Sequence, residues 1–437
     1  MVKNDKKTIH AWCMYDWANS VYSLTIATAV FPEYFLAVTS NASTGNKVDF
    51  FGYSIVNSVL YSYALSFIFL LAALLSPILS SIADFTGRKK LFMRVFCYLG
   101  SIACAMLFFF TRQTLPVGVA GFILAGLGYS GSIVFYNSFL PEIASDDMAD
   151  KISAKGFAYG YVGSVILLIF NIIMLLQPDL FGIAKGSDLP ARISFLTVGV
   201  WWFGFAQYSF RYLPNQTGAK ENFSGSSLLM IGFQELKKVI IDLHWQILLK
   251  RFLIGFFFYN MGVQTVMYMA TIFGKDQLHL ETASLIIVIL IIQIIAVFGA
   301  QVFAKVSTKY GNIKALSCLV IIWIGVCVSS YFVVNANQFY TLAVLVGFVM
   351  GGVQSLSRST YAKLIPQDTG DHASYFSFYD VMDKVSTFAG TLAFGFIAQV
   401  SGGMRNSTLA LSVFFVISLI FLFRIPSKNV YAIRKTL

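Results

Sequence analysis

Apolar runs of about 20 residues follow one another from near the first residue of this chain to near its last. At 1.5 Å per residue, a helix of about that length matches the ~30 Å hydrocarbon core of a bilayer. Lipid offers the backbone no hydrogen-bond partner, so each run must satisfy itself as a helix. The runs fall at 12–38, 57–82, 91–111, 117–140, 153–176 and 193–213, then at 249–273, 283–304, 314–334, 339–363, 374–399 and 406–425. The expected fold class is therefore an all-α polytopic membrane protein with twelve transmembrane helices. Strands of a membrane β-barrel would be short and alternating, and these runs are continuous. Composition agrees, since only 12% of the residues are charged, against roughly 25% in soluble domains.

Twelve crossings put both termini on one side, and the basic residues choose it. Six of the 31 Lys and Arg fall in one set of loops: Lys47, Arg112, Lys185, Arg192, Lys275 and Arg405. Two more, Arg358 and Lys384, lie inside spans, and all the others fall on the terminal side. That bias predicts cytoplasmic termini. It also accounts for the net charge of +11 without nucleic acid as a partner. The N-terminus, MVKNDKKTIH, lacks the apolar segment and small-residue cleavage site of a signal peptide. Short loops favour a bacterial inner membrane, with a vacuolar or other internal eukaryotic membrane as the alternative. The five cysteines all fall in apolar runs without metal-ligand spacing, which reads as core packing.

The chain repeats itself at an offset of about 225 residues. GRKK at Gly87 returns as GNIK at Gly311, YNSFLPEI returns as YAKLIPQD, and Gly126 matches Gly351. A six-plus-six duplication is the expectation, with one bundle at 1–213, a linker carrying an amphipathic helix at 214–248, and a second bundle at 249–437. In that linker Leu236, Val239, Ile240, Leu243 and Ile247 share a face opposite Glu235, Lys238 and Asp242, suited to the inner leaflet. Internal duplication of this kind is typical of secondary transporters. No GxxxxGK[ST] loop, HExxH or GxSxG is present, so neither an ATP-driven pump nor an enzyme is expected, and no cofactor or metal site is read.

The loop SSIADFTGRKK resembles the signature loop of the major facilitator superfamily (MFS). Asp84, Gly87, Arg88 and Lys89 occupy its key places, with Ser80 where the leading glycine usually stands. These four residues form a candidate conformational latch. Gly87 permits a tight reversal, and Asp84 can accept from Arg88 or sit at a neighbouring helix N-terminus. The second copy has Thr308 for the Asp and Asn312 for the Arg, so a weaker latch is expected there. More narrowly, YDWANSVY, YNSFLPEIA, KGFAYGYVG, GVQSLSRSTYAKLIP and FYDVMDKVSTFAG together resemble the vacuole-effluxer-like branch. That resemblance covers nearly the whole chain. It implies two pseudo-symmetric six-helix bundles around a central cavity and solute movement by alternating access. Its yeast members are associated with amino-acid release from the vacuole.

Polar residues inside the spans are the candidate substrate and coupling groups, because a charge facing lipid costs about 2.5–3.5 kcal/mol on insertion scales. Spans three, six, nine and twelve carry almost no ionisable group away from their ends and suit lipid contact. Span one carries Asp16 and Asn19, span four Tyr136 and Asn137, and span seven Asn260 and Gln264. Gln354 and Arg358 lie in span ten, and Asp380, Asp383 and Lys384 in span eleven. Asn171 and Gln293 are further polar positions in spans five and eight. Asp16 and Asp380 are the candidates for proton coupling. Arg358 is either an anchor for an anionic substrate group or the counter-charge of Asp380. The partners expected are a small polar solute, protons and lipid, for a chain acting as a monomer. An amino acid or small peptide suits the paired charges and amides; a sugar or anionic metabolite, or a transporter-shaped sensor, is the alternative.

Overall fold

The computed structural model describes residues 3–40, 45–215, 228–366, 369–401 and 403–426. Among them, twelve helical spans are long and apolar enough to cross a membrane. Spans one to six are Lys6–Thr39, Asn57–Thr86, Lys89–Phe109, Arg112–Ile143, Ala149–Leu176 and Leu189–Tyr212. Spans seven to twelve are Ile247–Leu278, Ser284–Tyr310, Asn312–Phe332, Ala336–Leu364, His372–Ser401 and Met404–Phe423. Several extend a turn or more past the apolar run that announced them. The helix continues into polar flanks where caps and turns end it, and hydropathy alone does not mark those ends. Residues 216–227 of the linker lie outside the described residues.

Span one is three segments. Asp5 caps its start by accepting from the Thr8 amide at 2.8 Å. The α-helix Lys6–Val21 gives way to a π-helical stretch, Tyr22–Ala29, and α-helix resumes at Phe31–Thr39. Pro32 stands in the first turn of that last segment. It has no amide proton to return to the preceding turn, so the helix before it must end its ladder differently. The Val30 amide reaches Thr25 O at 2.8 Å, and Thr28 Oγ1 donates to Ser23 O at 2.8 Å.

Within the first half, span one packs on spans five and six, and span three on spans four and six. In the second half, span seven packs on eleven and twelve, nine on twelve, and eight on ten. The halves meet where span two lies against span eleven and span five against span eight. Glycines set the closest approaches. A Cβ on Gly351 would fall on the Ala296 carbonyl, and one on Gly347 would lie 2.5 Å from Ile292 O. Gly128 meets the Gly100 backbone of span three in the same way. Leu91, Ile102, Phe203, Ile321, Val328 and Phe423, on spans three, six, nine and twelve, are exposed, as lipid-facing residues would be.

Two elements differ from the sequence reading. A small antiparallel hairpin, Lys47–Phe50 with Tyr53–Val56, joins spans one and two, so the loops are not wholly free of strand. Phe51 and Gly52 both take positive φ at its tip, the two-residue turn that matches strand twist. The linker helix, Leu228–Trp245, does present an apolar face through Leu236, Val239 and Leu243, but that face packs on span two instead of on lipid. Met230, Phe233, Ile241 and Trp245 are exposed instead, and Ile240, expected on the docked face, is exposed with them. Lys238 pairs with Asp371 at the head of span eleven, 3.2 Å away.

Candidate functional site

A cavity of about 340 Å³ lies between the halves. Its walls come from spans one, two, four, five, seven, eight, ten and eleven, and it runs toward the span ends opposite the termini. Five charged residues line it: Asp16, Arg358, Asp380, Asp383 and Lys384. Asn137, Asn260, Gln264 and Gln354 line it as well, with Gln293. Tyr136 lies beneath the floor instead of in the wall. Asn19 is buried but does not line the cavity, contrary to expectation, and its side-chain nitrogen has no partner. Asn171 is likewise turned away and accepts from Thr197 of span six at 3.0 Å. Two residues facing different sides of one helix read alike in sequence, because polarity does not state rotation.

The floor is an ion pair across the halves. Arg358 Nη1 lies 3.2 Å from Asp16 Oδ2, and both side chains are almost wholly buried. Asp16 Oδ2 also accepts from the Tyr136 hydroxyl at 2.5 Å. The rest of the guanidinium is taken: Nε donates to Ser153 Oγ at 3.0 Å, Nη2 to Ser153 O at 2.8 Å, and Nη1 to Asn137 Oδ1 at 3.4 Å. The rings of Phe157 and Trp12 flank it, 4.0 and 4.6 Å from the guanidinium carbon. Trp12 stacks on Tyr136 and donates to its carbonyl at 2.9 Å, which fixes both. Arg358 is therefore the partner of Asp16, which corrects one of its two expected roles, that of counter-charge to Asp380. Gly156 makes room: a Cβ there would lie 2.6 Å from Asp16 Oδ2 and 2.9 Å from Arg358 Nη2.

The second charged group is local to span eleven and roofed by span seven. Lys384 Nζ is 2.9 Å from Asp383 Oδ2 and 3.4 Å from Asp380 Oδ1, one turn away. Asp383 Oδ1 accepts from Asn260 at 2.9 Å and from Gln264 at 3.2 Å. Across the cavity, the Tyr161 hydroxyl donates to Gln354 Oε1 at 2.5 Å, another link between halves.

On the terminal side the cavity is shut by contacts between halves. Asp84 sits at the N-terminus of span eleven, accepting from the Ala373 and Ser374 amides at 3.2 and 2.7 Å and from Ser374 Oγ at 2.8 Å. Of its two sequence-level alternatives, the helix-terminus one holds. Its cationic neighbour is Lys89 at 3.1 Å, which also binds Glu142 at 2.6 Å, whereas the Arg88 side chain is exposed. Gly87 takes φ 62° to turn the chain there, and Gly311 takes φ 90° in the second copy.

The second copy, expected to latch weakly, is also bridged by a carboxylate from the other half. Asp150, at the head of span five, supplies the carboxylate that Thr308 lacks. It accepts from Ser307 at 2.8 Å and from Asn312 at 2.7 Å, and pairs with Lys363 at 2.7 Å. Sequence reasoning missed Asp150, Ser153 and Lys363. A repeat comparison looks only for the lost residue at its own position, and here the replacement comes from the opposite half.

The architecture is that of MFS transporters. The crystal structure of the transporter FucP in an outward conformation superposes with a TM-score of 0.68 over 96% of this chain and 98% of its own, at 12% identity. The human organic anion transporter MFSD10 gives 0.70 over 96% and 100%, at 11% identity. At those identities the likeness is one of fold.

Within that class, residues 4–431 match the family described as vacuole effluxer Atg22 like, and the chain belongs to it. An uncharacterized MFS-type transporter of Bacillus subtilis, YxiO, is 31% identical over 98% of this chain and 97% of its own. Autophagy-related protein 22-2 of Aspergillus niger is 25% identical over 85% of this chain and 76% of its own. This is a transporter family, and the chain is an MFS-type membrane transporter, not an enzyme.

Proposed function

We propose that the chain is a secondary active transporter that moves a small polar, amine-bearing or zwitterionic solute, such as an amino acid or small peptide, by alternating access coupled to protons. The two bundles, 1–213 and 249–437, rock about the cavity as a monomer, with the termini in the cytoplasm of a bacterial inner membrane. The carrying observation is the Asp16–Arg358 pair at the cavity floor, contributed by opposite halves and broken by any movement that opens the terminal side. Breaking it releases a buried carboxylate and a buried guanidinium together. Protonation of Asp16 lowers the cost of parting them, since a neutral acid needs no counter-ion. Asp380 offers a second proton site beside Lys384.

The test is counterflow in proteoliposomes with a panel of radiolabelled amino acids and dipeptides, followed by uptake under an imposed pH gradient. Exchange by the wild type with loss of gradient-driven uptake in Asp16→Asn or Asp380→Asn is the expected result. Undiminished gradient-driven uptake in both variants would remove proton coupling from these residues. Binding of a panel member without counterflow would mark a sensor instead of a carrier.

A further inference from the structure

The charges lining the cavity do not balance. Among the described residues they are three carboxylates and two cations. Asp16 and Arg358 cancel on the floor, and Arg358 keeps no free donor nitrogen, because Nε, Nη1 and Nη2 are all engaged. The surplus therefore falls on span eleven, where the single ammonium of Lys384 is shared by Asp380 and Asp383. Asp383 is satisfied from both sides by Asn260, Gln264 and Lys384. Asp380 is not: it is 5% exposed, it lines the cavity, and its Oδ2 has no hydrogen-bond partner. A buried carboxylate oxygen without a protein partner can accept from a donor on a bound solute.

We infer that Asp380 is the recognition site for a cationic amine on the solute, and that this amine and a proton displace one another there, so that transport is a one-for-one exchange of a monocation for a proton. The inference rests on the transporter reading above and narrows its substrate. With the site empty and ionised the cavity carries one net negative charge; with a proton or a monocation it carries none; with both it carries one positive charge. Only the two neutral forms suit a helix bundle that must close around the cavity in a low-dielectric membrane. In each exchange the ammonium replaces the carboxyl proton on Asp380, and that proton leaves to the aqueous side then open.

The surroundings fit an amine. Besides Lys384 and Asp383, the titratable groups that share the cavity with Asp380 are the tyrosines Tyr22, Tyr129, Tyr161, Tyr268 and Tyr379, with Asp16 and Arg358 on the floor. Ring faces of this kind attract ammonium groups. An anionic solute finds no free guanidinium and only a lysine already shared.

The test uses the purified full chain and four probes: choline and L-lysine, each with one net positive charge, L-leucine with none, and L-glutamate with one negative. Thermal unfolding is followed between pH 5 and 8. Choline or L-lysine should stabilise the protein at pH 8, with apparent Kd rising up to about tenfold for each pH unit of acidification below the site's titration. Asp380→Asn should abolish both the stabilisation and its pH dependence. So should Asp383→Asn, which removes the same surplus charge and serves where the first variant does not fold. Glu33→Gln, an exposed carboxylate outside the cavity, should leave both intact. Preference for L-glutamate or L-leucine, tighter cation binding on acidification, no probe binding at pH 8, or indifference to both Asp variants overturns the inference. In proteoliposomes, L-lysine should drive proton flux that a potassium–valinomycin potential does not alter. Solute movement driven by that potential overturns the exchange and leaves the transporter reading standing.

Discussion

Asp16 and Arg358 stand far apart in the chain and nearly touch in space, in a shell of Tyr136, Ser153, Trp12 and Phe157. A pair this buried adds little net stability, yet losing one partner strands the other, at about 3–5 kcal/mol. Arg358→Gln alone should therefore lower the thermal midpoint more than Arg358→Gln combined with Asp16→Asn. A double-mutant cycle should return a coupling of about 1–3 kcal/mol; strictly additive effects would mean that the two do not act as a pair. Gly156 sets the depth at which that pair can form. Gly156→Ala forces a methyl against Asp16 and Arg358 and should destabilise the protein by about 1–3 kcal/mol. An alanine variant with the wild-type melting curve would count against this tight fit. Asp5 is the clearest titratable cap outside the membrane. The Thr8 amide, then its hydroxyl, hold its carboxyl below the usual carboxylate range. A lowered folded-state value contributes stability above the unfolded value and loses it as pH falls through the folded one. Melting curves of Asp5→Ala and wild type should thus differ at neutral pH and converge in strong acid.

Spans ten and eight approach until a single Cβ would enter the neighbouring backbone, because Gly347 and Gly351 meet the carbonyls of Ile292 and Ala296. Small residues allow this packing in membranes, where no hydrophobic force draws helices together. Gly351→Leu should leave no room for span eight, and expression as a monodisperse species should be lost. Recovery of folded, monodisperse protein would show that the two helices can part without cost. Span one behaves differently. Its π-helical stretch, Tyr22–Ala29, lines the cavity above Asp16 and ends three residues before Pro32. The sequence showed the proline but not the altered ladder, since a hydropathy pattern does not report which carbonyl each amide reaches. The same blindness applies to the linker helix. Its apolar face was legible, but whether protein or lipid would cover it depended on where span two lay.

Two latches hold the terminal side shut, each joining one half to the other. Asp84 of span two caps span eleven, and Asp150 of span five binds the turn between spans eight and nine. The Ser81 and Ser374 hydroxyl oxygens lie 3.2 Å apart across the first of these contacts. That is within reach of a disulfide after a small adjustment. In a background free of the five native cysteines, Ser81→Cys with Ser374→Cys should oxidise spontaneously and arrest transport, and a reductant should restore it. Full transport in the cross-linked protein would show that the two halves need not separate here. Asp84→Asn and Asp150→Asn should each shift the protein toward opening on the terminal side, read as faster alkylation of a cysteine at Ser355. An effect confined to Asp84→Asn would return the second latch to the weak one expected from sequence.

The sequence by itself determined the twelve crossings, the repeated halves and the presence of charge inside spans one, ten and eleven. Each of these is a local property, because apolar length and composition are fixed by consecutive residues. It marked Asp16, Arg358, Asp380, Asp383 and Lys384 as costly in lipid, and all five line one cavity. Only the tertiary structure decided which of them pair. Arg358 met Asp16 instead of Asp380, Asp150 replaced a carboxylate lost from the other half, and Asn19 turned from the cavity that Asp16 faces. Those outcomes depend on the rotation of each helix and on which helices adjoin across the halves. Such contacts join residues that are distant along the chain, and no stretch of consecutive residues encodes them.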